Sequence, residues 1–210
     1  MVTSIIIPSL NRTDLLADCL TALSFTAPDV EVIIANYGGT FAQNCNKGAD
    51  KATGDILIFL NDDTIPQPGW LKPLIAPIPE RAGITGAQLF YPDGCIQHSG
   101  VYFDAPDNIL TAHNMTWESK SGPRDAVTGA CMAIHVGLFH ALKGFDEGYV
   151  NGYEDIDLCL RAKKQGVVIR YVAESRIIHL ESQSGPARWT HVSHNIARLQ
   201  ELWNVGTRGD

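Results

Sequence analysis

Gly54-Asp55-Ile56-Leu57-Ile58-Phe59-Leu60-Asn61-Asp62-Asp63-Thr64 is the stretch on which the reading of this chain turns. Five consecutive apolar residues, too few for a buried helix, fit a strand covered on both faces. The run stops at two adjacent carboxylates. Upstream, Ser4-Ile5-Ile6-Ile7 closes on Pro8, and Glu31-Val32-Ile33-Ile34-Ala35 closes on Asn36-Tyr37-Gly38-Gly39. Both read as further buried strands. Leu15, Leu16, Cys19, Leu20 and Leu23 lie between them at helical spacing, and Phe41 to Thr53 reads as a polar helix. Strand, helix, strand, helix, strand implies right-handed crossovers and a parallel sheet. Ligands of such sheets bind beyond the carboxyl ends of the strands. Those ends carry Pro8 to Asn11, Asn36 to Gly39, and Asn61 to Asp63.

The second half alternates less regularly. Gly83 to Tyr91 and Thr128 to Ile134 read as strands, Val136 to Leu142 as a short helix, and Glu154 to Gln165 as a longer one. Val167 to Val172 and Arg176 to His179 read as two late strands. Residues 104 to 126 read as a long loop. Arg188 to Trp203 reads as a C-terminal helix carrying Trp189, Val192, Ile196, Leu199 and Trp203 on one side. The expectation is one α/β domain spanning residues 1–210, with a mixed, mainly parallel central sheet flanked by helices.

Composition narrows the function classes. With 210 residues and 45% hydrophobic content, the chain can bury a core of its own. Sixteen basic against 23 acidic residues give a net charge of −7, and there is no lysine-arginine run. Nucleic-acid binding is therefore not expected. No apolar stretch approaches the ~20 residues of a membrane span. Met1-Val2-Thr3-Ser4 offers no basic region of a secretory signal. Five scattered cysteines without a CxxC pair read as reduced thiols. The expected location is cytoplasmic, with peripheral membrane contact through the last helix left open, as is homo-oligomerisation.

Four constellations could carry chemistry. Asn61-Asp62-Asp63 places hard oxygen donors at a strand end. These suit Mg²⁺ or Mn²⁺, although a solvated turn would look the same. Gly152-Tyr153-Glu154-Asp155-Ile156-Asp157 sets three acids at a helix start. Helix capping explains some of them, and a general base acting on a hydroxyl would explain the rest. His179 closes an apolar run and gains interest only beside Asp63. His98, in Gly94 to Gly100, reads as a turn residue whose ring makes a loop hydrogen bond or touches substrate. Neither GxxxxGK[ST] nor GxGxxG occurs.

Taken in order, six segments give the chain a family likeness. They are Ile5 to Arg12, Gly54 to Thr64, Tyr91 to Gly100, Thr128 to Cys131 with Gly144 to Glu147, Glu154 to Arg161, and His179 to Ser184. The chain resembles the family 2 glycosyltransferases of the GT-A fold, and within them the rhamnosyltransferase and galactofuranosyltransferase branch. The likeness covers about residues 4 to 203. It implies an inverting, metal-dependent transfer of a sugar from a nucleotide-diphosphate sugar, UDP or dTDP favoured, to a carbohydrate or other hydroxyl acceptor. About residues 1–100 would form the nucleotide-sugar half and about 101–210 the acceptor half. Asp63 and His179 would hold Mn²⁺ or Mg²⁺. Asp155 would be the base, with Glu154 beside it. Pro8, Ser9, Asn11, Arg12, Asn36, Asn61 and Asp62 would bind the nucleotide sugar. Tyr153, Asp157 and Trp189 would face the acceptor, and Gln183 to Arg188 with Trp189 would form a lid or pack the last helix. In this family the first residue of the Asn61-Asp62-Asp63 triplet is an acid, and the second strand commonly ends in aspartate. The alternative is a catalytically weak module of the same fold that binds nucleotide sugars or carbohydrate.

Overall fold

The computed structural model describes residues 2–9, 13–78, 82–104, 110–180 and 190–203. From the N-terminus, β1 (Thr3–Pro8), α1 (Thr13–Thr26), β2 (Glu31–Ala35), α2 (Phe41–Ala49) and β3 (Ile56–Leu60) alternate as the apolar spacing requires. The next elements are β4 (Thr64–Pro66), α3 (Leu71–Ile75), β5 (Ala82–Phe90), β6 (Ile96–His98), β7 (Val101–Asp104), β8 (Thr111–Asn114), β9 (Gly122–Arg124) and β10 (Cys131–His135). The last are α4 (Val136–Ala141), α5 (Glu154–Lys164), β11 (Val168–His179) and α6 (Val192–Trp203).

The main sheet runs β2-β1-β3-β10-β5-β11-β4, with β6 added to β5 and β9 to β11. β2, β1 and β3 are parallel, as are β5 and β11, whereas β10 and β4 run against their neighbours. β10 thus interrupts the parallel strands, β4 closes one edge, and the added β6 and β9 also run antiparallel to their partners. The carboxyl ends of β1, β2, β3, β5 and β11 consequently lie on one rim. β10 starts on that rim, as does α5, whose far end leads back to the start of β11.

Alternate side chains of each central strand feed two apolar layers. Ile6, Leu57 and Phe59 face α2, α4 and α5, in a cluster with Cys45, Phe139, Phe145, Leu158 and Cys159. Ile5, Ile7, Ile56, Ile58 and Leu60 face α1 and α3, with Cys19, Leu23, Trp70 and Leu74. α2 begins in a capping box: the Gln43 N–H donates to Thr40 Oγ1 and the Thr40 N–H to Gln43 Oε1. That box fixes the turn that leaves β2. All five cysteines are free thiols, and only Cys95 is exposed. Among the described residues no helix is long and apolar enough to cross a membrane.

Four local expectations are corrected. β2 is an edge strand and not a buried one. Val32 and Ile34 are 36% and 45% exposed because α1 covers their face over β1 but not over β2. The two late strands are one, broken by a register shift between Val172 and Arg176. That bulge is held by the Ala173 N–H donating to Ser121 Oγ. The stretch from 104 to 126 is not all loop, since β8 pairs with β7 and β9 pairs with the edge of β11. Pro123 is tolerated there because an edge residue has no ladder bond to lose. Finally, α6 is held as much by polar contacts as by an apolar stripe. Asn195 brackets the Val150 backbone, Arg198 pairs with Asp146, Trp203 donates to Asp157, and Leu199 is buried.

Phe59 anchors the first of these layers, with ring centroids 4.8 Å from Phe145 and 5.0 Å from Phe139. Truncating a buried aromatic removes both its transfer free energy and its packing partners. Phe59→Ala is expected to lower stability by about 3–5 kcal/mol in urea unfolding, against little change for Phe25→Ala at the exposed position on α1.

Candidate active site

β3 ends at Leu60, and the chain then turns through Asn61, Asp62 and Asp63 into β4. The Thr64 hydroxyl donates to the Asn61 carbonyl at 2.6 Å. β4 lies antiparallel on the end of β11, with Thr64 opposite His179, and the Leu180 N–H donates to the Asp63 carbonyl at 2.9 Å. This return sets His179 Nε2 3.1 Å from Asp63 Oδ1. Asn61 Nδ2 lies 3.5 Å from the same nitrogen. Asp62, Asp63 and His179 are all more than nine-tenths buried.

Gln97 on β6 fixes the imidazole. Its Oε1 lies 2.6 Å from His179 Nδ1, and its Nε2 donates to the His179 carbonyl at 3.2 Å. A carbonyl oxygen only accepts, so Nδ1 donates to Gln97, and Nε2 faces the Asp63 carboxylate. Two electron-rich atoms 3.1 Å apart need a proton or a cation between them. Donors at right angles around an octahedral ion, each at ~2.1 Å, lie ~3.0 Å apart, so the pair fits a divalent cation. Among the described residues no group of three or more His, Cys, Asp or Glu side chains forms a fuller site. Further ligands would have to come from solvent or substrate oxygens.

The neighbouring His98 is buried, and burial pushes its pKa down to about 4. The neutral ring accepts the Thr128 N–H at 3.3 Å through Nε2. It therefore acts as a structural hydrogen-bond acceptor. Thr128-Gly129-Ala130 then links the two acid clusters. The Ala130 carbonyl accepts the Asn61 N–H at 3.0 Å, and the Gly129 N–H donates to Asp155 Oδ2 at 2.8 Å. A Cβ on Gly129 would stand 3.2 Å from Phe41 and 3.4 Å from Asp155, so glycine allows the close approach.

The second cluster is entered through unusual backbone. Asn151, Gly152 and Tyr153 all have positive φ, at 52°, 154° and 73°. Two of the three are not glycine and carry strain. Asn151 is held by accepting the Phe41 N–H at 2.8 Å, and Glu154 Oε2 accepts the Gly152 N–H at 2.7 Å. The bend presents Glu154 and Asp155 to the rim at the start of α5. Burial, then the Asp155 charge, raises the Glu154 pKa well above the ordinary carboxylate range. Burial likewise raises that of Asp155, against the opposing pull of its N–H donors. Burial, then the Asp155 charge, raises the pKa of the Tyr153 phenol.

Asp157 is not part of this group. Two positions along a helix lead to the opposite side. Its carboxylate accepts from Arg161 Nε at 2.7 Å and from Trp203 Nε1 at 2.8 Å, on a separate groove of about 690 Å³ between α5 and α6. Its expected acceptor contact is therefore replaced by a structural one. Pro8, Ser9 and Asn36 stand at the carboxyl ends of β1 and β2 on the shared rim, with Asn36 exposed. The Ser9 N–H donates to the Ala35 carbonyl, and its buried hydroxyl has no protein partner among the described residues. Asn11, Arg12, Trp189 and the expected lid at 183 to 188 lie outside the described residues. Sequence reading missed Gln97, Asn151 and Asn195. Gln97 stood inside a quoted motif, but nothing local shows that a glutamine will clamp a histidine 82 residues away.

Residues 24–199 match the family model described as glycosyltransferase like family 2. The chain belongs to this family. It is 34% identical over 155 residues to the O-antigen biosynthesis protein RfbC of Myxococcus xanthus, covering 66% of this chain and 12% of that protein. It is 27% identical over 175 residues to polypeptide N-acetylgalactosaminyltransferase 11 of Xenopus tropicalis, covering 74% and 29%. The chain thus spans under a third of either relative. Among solved structures, GalNAc-T7 with UDP, GalNAc and Mn²⁺ superposes with a TM-score of 0.70 at 19% identity, covering 88% of this chain and 45% of that one. The catalytic domain of Drosophila β1,4-galactosyltransferase 7 in complex with xylobiose superposes at 0.65 and 14% identity, covering 98% and 81%. These likenesses establish the GT-A fold expected from the motifs.

Within this glycosyltransferase domain, the raised Glu154 has a consequence for stability. The unfolded glutamate loses its proton near the ordinary value of 4.5, whereas the folded one holds it to higher pH. The folded chain therefore binds more protons across that window, and its stability falls as pH rises through it. Glu154→Gln removes this slope. Its melting temperature relative to wild type is expected to rise between about pH 5 and about pH 8, measured by thermal denaturation.

Proposed function

We propose that this domain is an inverting, metal-dependent glycosyltransferase that moves a sugar from a UDP or dTDP sugar to a hydroxyl of a carbohydrate or other acceptor. The observation that carries the reading is the double arrangement at one rim. Asp63 and His179 oppose each other at 3.1 Å, and Asp155 is tied to the same rim through Gly129. A structural turn needs neither a second donor facing the first nor a half-buried carboxylate tied to the same rim.

Asp63 and His179 would hold the cation. One imidazole and one carboxylate suit Mn²⁺ more than the all-oxygen shell preferred by Mg²⁺, and the GalNAc-T7 structure contains Mn²⁺. When bound, such an ion neutralises charge that grows on the departing diphosphate. Asp62 and Asn61 orient the ribose and diphosphate side of the donor, and Pro8, Ser9 and Asn36 border the nucleoside, together with Asn11 and Arg12. The acceptor oxygen bonds to the anomeric carbon as the carbon–oxygen bond to the diphosphate breaks, and the hydroxyl proton passes to Asp155. Burial raises the Asp155 pKa, which makes the carboxylate a better proton acceptor. Glu154 holds the Gly152 N–H and thereby sets the bend that aims Asp155. Tyr153 borders the acceptor, with Trp189 as a further acceptor contact.

Asp155→Asn keeps the shape and removes the base. Turnover is expected to fall by ~10²–10⁴ with donor affinity nearly unchanged, measured by UDP release and calorimetry. Unchanged turnover would favour the binding-module alternative. Proton NMR of the product tests inversion at the anomeric carbon.

Gln97→Leu frees the His179 ring without touching a ligand atom. The Mn²⁺ concentration for half-maximal activity is expected to rise ~10–100-fold. Chelation by EDTA should abolish turnover, and added Mn²⁺ should restore it. Full activity in EDTA would remove the cation from the scheme.

A further inference from the structure

Three aromatic rings lie in the open beside this rim, on the β7–β8 ribbon and the segment after it. Tyr102 and His113 are directly opposed across the ribbon and stack with centroids 4.9 Å apart at 15°. Trp117 stands 6.5 Å from Tyr102 and is 64% exposed. On the other face of the ribbon, Phe103 and Ala112 pack on the core. The exposed face therefore has nothing left to bury and yet carries three rings. Asp104 lies on that face too, its Oδ1 3.0 Å from His113 Nε2 and its side chain half exposed.

The platform is anchored. Met115 N–H donates to the Gly100 carbonyl, Ser99 N–H to the Met115 carbonyl, and Glu118 N–H to Ser99 Oγ. Trp117 is thus exposed on backbone that is pinned on both sides. The anchor point, Ser99, follows directly on Gln97 and His98, which hold His179 and Thr128. Tyr102 is four residues from His98, at most ~13 Å of extended chain.

We infer that Tyr102, His113 and Trp117, edged by Asp104, form a subsite for a neutral sugar residue of an oligosaccharide acceptor. The inference rests on the transferase reading. Sugars combine a C–H face, which stacks on aromatic rings, with hydroxyl donors, which Asp104 and His113 accept at the edge of the platform. Three rings are too small a patch for a stable protein partner. An acid on the face disfavours phosphate or acidic sugars.

Calorimetry of the full chain without donor, against maltotetraose, cellotetraose and mannotetraose, tests the subsite. At least one tetrasaccharide is expected to bind. Trp117→Ala and Tyr102→Ala should each weaken it about tenfold or more, with Trp117→Phe retaining part of the affinity. Phe25→Ala, an exposed ring on α1, should bind as wild type does. Melting temperatures check that each variant folds. Binding of none of the three, or equal binding by Trp117→Ala, overturns the subsite. Since no donor is present, this binding is read without any transfer step. Failure of the transfer chemistry is therefore read separately from failure of the platform.

Discussion

Asp63 and His179 meet because β4 turns back along β11 as soon as β3 has ended. Few arrangements in the fold constrain so much. The turn must contain no extra residue, or Thr64 would slip past His179. β11 must be long enough to reach the rim, which it does across a bulge, and β6 must sit so that Gln97 grips both His179 Nδ1 and the His179 carbonyl. The cost is a buried carboxylate facing a buried imidazole. Such an arrangement persists only where something compensates it.

A second constraint balances the first across the rim. α5 could have been entered by an ordinary cap, and the acids Glu154, Asp155 and Asp157 would then be explained by the helix dipole alone. Instead three consecutive residues take positive φ; Phe41 from α2 holds the first of them, Asn151, and Asn195 from α6 brackets Val150 just before it. Strain held by tertiary contacts marks places where direction matters more than local stability. Here the direction is that of Asp155, which reaches over to Gly129. Asp157 shows the contrast, because it is spent on Arg161 and Trp203 in the packing of the last helix.

Much of this was legible in the sequence, for identifiable reasons. Runs such as Ile56 to Leu60 admit few alternatives, so the parallel core and its ligand rim follow from periodicity. The acid clusters were visible because like charges are seldom adjacent without purpose. The exposure of Val32 and Ile34 was not legible, since an edge strand and a central one share the same apolar pattern until the covering helix is placed. Strands β8 and β9 were hidden by weak composition, and β9 also depends on a partner far away in the chain, β11. The separation of Asp157 from Asp155 needed only helical geometry, and the motif that groups them obscured it.

The charge balance poses one last physical question, and the two sites answer it together. A chain of net charge −7 with Asp62, Asp63, Glu154 and Asp155 at one rim repels an anionic diphosphate. On the proposed reading, two features lessen that repulsion. A cation between Asp63 and His179 reverses the local sign where the diphosphate must lie. Burial also raises the proton affinity of Glu154, so the cluster across the cleft carries less charge than its four-residue sequence suggests. On that reading Asp155 faces the acceptor, where a carboxylate draws the hydroxyl proton and repels nothing neutral. An uncharged sugar resting on Tyr102 and Trp117 would approach that carboxylate without electrostatic penalty, which is why the acceptor side can remain acidic while the donor side cannot.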